Sequence, residues 1–184
     1  MKVTGRGIAF QGKYLRIVEK SFETDAGLKG VWETVERTNI HNSGAVVVIA
    51  LTRERELILE RNWRMPLESY VIQFPAGLCD QKSESEEATA RRELLEETGY
   101  MAGEMIPIVT TPMSPALTST KGSHFLAYDV EYVGRPARDL TEEIEVIKVP
   151  VEEIGRFLLN LPEETALDLS VPGILWILEK KKLL

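Results

Sequence analysis

The chain has 184 residues, 43% apolar and 28% charged, with a formal net charge of −7; that size supports one domain (1–184) with its own core, and that composition excludes a disordered or collagen-like chain. The acidic balance, without a long basic run, excludes nucleic acid as the main partner, and the single Cys79 excludes an internal disulfide and fits a reducing, cytoplasmic setting. No apolar run approaches the roughly 18 residues of a membrane span, and no apolar stretch follows Met1-Lys2, so neither a span nor a signal peptide is expected.

In chain order, Lys2 to Val18 reads as two short strands about a turn at Gln11-Gly12-Lys13, and Ser21 to Lys29 as a polar loop. Gly30 to Thr38 alternates apolar and polar side chains and reads as a strand antiparallel to the first pair. Residues 1–40 are therefore expected to form a small N-terminal antiparallel sheet ahead of a core at 41–184. Trp32, on the third strand, is either a core residue or a stacking surface for a base, and its large apolar ring favours the core. Ala45 to Leu51, a continuous apolar run, fits a strand buried on both faces. Arg53-Glu54-Arg55 turns the chain into a strand from Glu56 to Arg61, and Tyr70 to Phe74 is a further short apolar run.

Pro75 to Tyr100 organises the rest. A Pro-Ala-Gly turn leads to a segment rich in Ala, Leu, Arg and Glu, which favours helix. Ser85 is placed to cap it, Glu86 and Glu87 suit the first-turn dipole, and Gly99 is the expected stop. At the helical repeat, Glu86, Glu93 and Glu97 fall within an arc of roughly 40°, and Glu96 widens it to roughly 100°. Like charges one turn apart repel. A hard divalent cation compensates such crowding, since Mg²⁺ binds through carboxylates and substrate phosphates; a solvated acidic face is the plain alternative.

Beyond the helix, a strand is expected around Met105 to Thr110, then a Pro-, Ser- and Thr-rich loop from Thr111 to Gly122, then a strand from His124 to Tyr132. Gly134 to Thr141 reads as a second exposed loop, Ile144 to Val149 as a strand, and Val151 to Asn160 as a helix. Leu161 to Leu169 reads weakly, as helix. The last helix opens at Ser170-Val171-Pro172 and ends in the basic tail Lys180-Lys181-Lys182, which suits its dipole. Strands mixed with three helices give an α/β fold, a mixed sheet between helices.

Glu84, seven residues, then Arg92-Glu93-Leu94-Leu95-Glu96-Glu97-Thr98-Gly99-Tyr100 closely resembles the Nudix box, with Gly77 as its leading glycine. One departure is the loop Leu78 to Ser83, six residues where the box has five. The resemblance implies a Nudix-like α/β/α sandwich. It extends to the ADP-ribose pyrophosphatase branch through four further stretches. These are Trp32-Glu33-Thr34-Val35-Glu36-Arg37, Arg61-Asn62-Trp63-Arg64-Met65-Pro66, Pro115 fifteen residues after Tyr100, and Leu140-Thr141-Glu142-Glu143-Ile144-Glu145-Val146. Two positions depart from that branch: Gln73 stands where relatives often have Glu, and Ala116 where they often have Gly.

The resemblance implies Mg²⁺-dependent hydrolysis of ADP-ribose to AMP and ribose 5-phosphate, with Mn²⁺ as the alternative metal. It implies Glu93, Glu96, Glu97 and the Ala76 carbonyl as metal ligands, and Gly77, Glu84, Arg92 and Gly99 as structural residues of the motif, Arg92 pairing with Glu84. Glu142, then Glu143, is the expected base, with Glu96 a further catalytic candidate. Trp32, Arg37, Arg64, Met113 and Leu117 are the expected substrate contacts, and a homodimer is implied through the N-terminal sheet. The alternatives are another nucleoside diphosphate sugar or dinucleotide as substrate, and a non-catalytic nucleotide-binding regulator. His41 and His124 lack ligand spacing and read as structural or exposed, and Cys79, without a histidine partner, as inert.

Overall fold

The structure is a computed structural model that describes every residue except Ser43, Arg135, Asp139 and Leu140. The last three fall in the expected loop Gly134 to Thr141, and the acidic stretch is thus described from Thr141 onward.

Strands β1 (Lys2–Gln11), β2 (Leu15–Glu23) and β3 (Lys29–Arg37) form a separate antiparallel sheet in the order β1-β2-β3. The loop expected from Ser21 shrinks to the turn after Glu23, because Ser21 and Phe22 pair with Val31 and Gly30. Trp32 is not a core residue. It is 54% exposed, and its Nε1 donates to the Ala116 carbonyl at 3.1 Å. Neither apolar core includes a residue of β1–β3, so the indole has no core to enter there.

The main sheet begins with β4 (Gly44–Leu51), β5 (Glu56–Arg64), β6 (Ser69–Gln73) and β7 (Ala76–Leu78). After α1 (Glu86–Thr98) come β8 (Tyr100–Met101), β9 (Glu104–Pro112), β10 (Lys121–Tyr128), β11 (Glu131–Tyr132) and β12 (Ile144–Pro150). The chain closes with α2 (Ile154–Leu159), β13 (Thr165–Leu167) and α3 (Ser170–Lys180). The main sheet has the order β13-β6-β5-β4-β10-β9, with β12 on β5 and β7 on β4, and β8 and β11 pair apart from it. The pairs β4–β10 and β6–β13 are parallel and the rest antiparallel, so the sheet is mixed.

Strand β4 is buried along its whole length, and its alternate side chains serve two cores. Val46, Val48 and Ala50 pack with Ala90 and Leu94 of α1; Val47, Ile49 and Leu51 pack with Val171, Ile174 and Leu178 of α3. This is the α/β/α sandwich, and each fully buried Leu or Ile in it contributes roughly 2 kcal/mol. Strands β4 and β5 pair only at Ala50–Ile58 and Leu51–Leu57. Beyond that point β4 takes β7 as its partner and β5 takes β6. The sheet therefore opens beneath α1, and the opening positions the site.

Two elements differ from the sequence reading. The strand expected from His124 to Tyr132 breaks at Asp129, whose φ of 50° reverses the chain; Asp tolerates that left-handed region better than most residues. Leu161 to Leu169 is not helical but supplies β13. Glu164 takes a φ of 55°, and Thr165 to Leu167 pair with Tyr70 to Ile72, so pairing along β6 overrides the weak local preference. Among the described residues no helix is long and apolar enough to cross a membrane.

Candidate active site

Helix α1 begins where Ser85 Oγ accepts from the Ala88 N–H at 3.1 Å and ends at Gly99 with φ 77°. Between these caps Glu93, Glu96 and Glu97 of its acidic arc line one cleft, while Glu86 lies apart, against β9 and β10. Glu97 is 4% exposed, and its Oε2 accepts from the Ala76 N–H of β7 at 2.9 Å. Glu93 lies directly beneath Gly77: a Cβ added there would stand 1.9 Å from the Glu93 Cδ. Only a residue without a side chain lets the strand and the carboxylate approach this closely.

Arg92 is the hub of the acidic face. Its Nε and Nη2 donate to Glu84 at 3.2 Å each, and its Nη1 donates to Glu93 Oε1 and Glu96 Oε2 at 2.9 Å each. Glu84 also accepts from the Thr89 hydroxyl at 2.8 Å, so the loop before α1 is tied to the helix at two points. The Arg92 guanidinium holds Glu84 below the usual carboxylate range. Burial pushes the Glu93 carboxyl up to about 7, against the pull of Arg92.

Above these residues lies a polar cleft of about 600 Å³. Glu93, Glu96, Glu97 and Arg92 form one wall, with Ala76 and Gly77 at its base. Arg37 of β3 and Arg64 of β5 enter it from other elements, together with Met113 and Glu142. Three expected site residues stand elsewhere. Glu143 accepts from the Tyr70 hydroxyl, and its carbonyl accepts from the Trp63 N–H at 3.0 Å. Trp32 and Leu117 are half exposed and hold β3 to the loop after β9, the Leu117 carbonyl accepting from the Val35 N–H at 2.9 Å.

Sequence reasoning missed two residues. Glu60 of β5 is wholly buried and sits opposite Gln73 of β6. Its Oε2 accepts from Gln73 Nε2 at 3.3 Å, and Gln73 Oε1 in turn accepts from Arg64 Nε at 2.7 Å. Burial, and the facing Glu60 carboxyl, push Glu97 well above the ordinary range; burial also raises Glu60. Glu60 Oε1 is buried and has no hydrogen-bond partner among the described residues. The available signal was an acid directly after Leu57-Ile58-Leu59, in a strand otherwise apolar there. Arg138 donates through Nε to the Glu97 carbonyl at 2.7 Å and through Nη1 to the Ile144 carbonyl. A cation on the last carbonyls of α1 suits its dipole, but no motif marks it.

Among the described residues, no three Asp, Glu, His or Cys side chains stand close enough together to hold an ion as placed, since Arg92 draws Glu93 and Glu96 to itself. The chemistry of the donor set fits a divalent cation all the same. It is made of oxygen alone, it crowds acids that burial disfavours as anions, and it includes an orphaned carboxylate oxygen one layer down. Ala76, Glu93, Glu96 and Glu97 are the groups that would hold such an ion.

A family model described as NUDIX domain matches residues 41–169. The ADP-ribose pyrophosphatase of Bacillus subtilis (strain 168) is 33% identical over 146 residues, covering 78% of this chain and 75% of its own length. The methanol dehydrogenase activator of Bacillus methanolicus is 28% identical over 150 residues, covering 81% of this chain and 78% of its own. A solved structure described as an ADP compounds hydrolase matches with a TM-score of 0.77, covering 100% of this chain and 96% of that one, at 21% identity, a likeness of fold. The family match spans the acidic helix and every strand of the main sheet, and by it the chain belongs to the Nudix family and is one of its pyrophosphohydrolases.

Proposed function

We propose that the protein hydrolyses the diphosphate bond of ADP-ribose to AMP and ribose 5-phosphate, with Mg²⁺ as the working ion. The observation that carries this reading is the two-sided cleft, with three carboxylates of α1 on one side and two arginines, Arg37 and Arg64, arriving from separate strands. When bound, Mg²⁺, or Mn²⁺ in its place, supplies charge neutralisation to the diphosphate and acidity to the attacking water. Glu93, Glu96, Glu97 and the Ala76 carbonyl would hold it. Arg92 would keep its pairing with Glu84, a structural role. Arg37 and Arg64 bind the anionic and adenine portions through charge-assisted hydrogen bonds, with Met113 as the apolar contact. Glu142, which lines the cleft, takes the proton of the attacking water. Glu143, held by Tyr70, is the weaker candidate.

The test is release of AMP from ADP-ribose with and without Mg²⁺, beside a panel of other nucleoside diphosphate sugars and dinucleotides. Magnesium-dependent release, greatest on ADP-ribose, is expected. Greater release from another substrate would move the specificity and keep the chemistry. Binding without turnover on every substrate would favour a regulator, the reading that the activator among the relatives suggests. Metal binding needs the ionised form of Glu93, so affinity should rise as pH climbs through about 7.

Trp32 and Leu117 stand outside this cleft, and a second copy gives them a role. The N-terminal sheet exposes Val3, Ile8, Phe10, Leu15, Ile17 and Val31, apolar side chains that a second copy would cover. We infer a homodimer formed through this sheet, with Trp32 and Leu117 brought to the partner's nucleotide. Light scattering should give about twice the chain mass of 20.7 kDa; a monomer mass at assay concentration would remove this part of the reading.

A further inference from the structure

Glu60 is a costly residue where it stands. It is wholly buried, it faces the Glu97 carboxyl, and it accepts from the Gln73 amide at 3.3 Å. Its Oε1 is one of two buried side-chain polar atoms without a partner among the described residues. The other face of β5 carries Leu57 and Leu59 into the α3 core, and Ile58, two residues before Glu60 on the same face, packs under α1. A leucine at position 60 would continue that packing. A buried charge without full compensation costs several kcal/mol, so the position has been filled against stability.

The neighbours show what it is aligned with. Gln73 presents its amide nitrogen to Glu60 and its amide oxygen to the Arg64 guanidinium. Glu97 presents one carboxylate oxygen to the Ala76 N–H and the group as a whole to Glu60. A continuous polar path therefore runs Arg64–Gln73–Glu60–Glu97–Ala76, from the arginine wall of the cleft to the acidic wall, beneath the cleft. Glu60 and Gln73 are also directly opposed across the β5–β6 pair. An amide therefore stands on β6 and an acid across from it on β5.

We propose that Glu60 is a positioning residue of the metal site: it orients the Glu97 carboxylate toward the ion from behind, and through Gln73 it fixes Arg64 relative to that ion. The inference rests on the reading of Glu97 as a metal ligand. Residues that hydrogen-bond a ligand from behind typically change metal affinity 10- to 100-fold when altered. A buried acid kept for that purpose leaves a signature that a merely structural acid does not: its removal weakens the ion and strengthens the empty fold.

The experiment uses the full-length protein, Mn²⁺ as the probe, free Mn²⁺ read by electron paramagnetic resonance, and the thermal midpoint measured without metal. Glu60→Gln is expected to weaken Mn²⁺ binding by about tenfold and to leave the metal-free midpoint equal or higher. Glu60→Leu should raise that midpoint further and bind Mn²⁺ no better than Glu60→Gln. The double variant Glu60→Gln/Gln73→Glu moves the acid to the opposed position on the other strand and should recover Mn²⁺ affinity to within about threefold of the parent, on the same scale of ligand-orienting effects. Glu97→Gln is the reference. If Glu97→Gln loses Mn²⁺ while Glu60→Gln binds as the parent does, the proposal is overturned and the site reading stands. If both bind as the parent does, the site reading falls and takes the proposal with it. A swap variant as weak as Glu60→Gln alone would overturn the idea that one acid across the strand pair serves from either side.

Discussion

Glu97→Gln should lower ADP-ribose hydrolysis by about 10³-fold, the upper part of the range seen when one electrostatic group is removed from a reacting centre. The substitution keeps the shape of the side chain and its hydrogen bond from Ala76, and it removes the charge. In the metal-free protein that charge is a burden, because burial and Glu60 already hold the group in its neutral form. The fold should therefore lose nothing, and the metal-free thermal midpoint should stay level or rise. The loss has to appear in turnover and in divalent-ion affinity together. Since ion and diphosphate interact in one cleft, raising Mg²⁺ should recover part of the rate, and the recovery should saturate later than in the parent. Full activity in Glu97→Gln at ordinary Mg²⁺ would remove the acidic wall of the site from the mechanism.

The acidic wall was legible in the sequence because a helix has a fixed repeat. Once Ser85 and Gly99 mark its ends, the angular positions of Glu93, Glu96 and Glu97 follow, and the observed helix Glu86–Thr98 has those caps. Strand β4 was legible for a similar reason, as a run with no polar side chain belongs between two layers. What lies beneath the helix was not. Glu60 and Gln73 meet only because β5 and β6 pair in one register beyond the point where β4 leaves, and register is a property of the folded sheet. Arg138 reaches the end of α1 from a distant loop, and loop paths leave no periodic trace. Trp32 was misread because residue type alone makes an indole a core residue, whereas its strand belongs to a sheet that neither apolar core includes. Short β13 was misread as helix because its pairing with β6 is supplied by the rest of the fold.

Gly77→Ala should separate activity from stability. Gly77 pairs with Val46 in the β4–β7 ladder, and its φ is not positive, so alanine suits the backbone there. The added methyl would lie 1.9 Å from Cδ and 2.3 Å from Cγ of Glu93, with no backbone atom among its three nearest neighbours. The flexible partner gives way: Glu93 must take another rotamer, and the carboxylate leaves the base of the cleft. A displacement of about 1 Å at a reacting centre costs on the order of 10²-fold in rate, and Mn²⁺ affinity should fall alongside it. Overpacking relieved by one side-chain rotation should cost about 1 kcal/mol of stability. Gly99→Ala is the matched control, since there the methyl would meet the Gly134 carbonyl oxygen at 2.2 Å with φ at 77°. That obstacle is backbone, so strain of about 1–3 kcal/mol is expected in the fold itself. Steady-state kinetics and chemical denaturation of the two variants should therefore rank them in opposite orders. If Gly77→Ala keeps its rate, or loses stability in step with it, the seat of Glu93 beneath the strand is packing and not part of the chemistry.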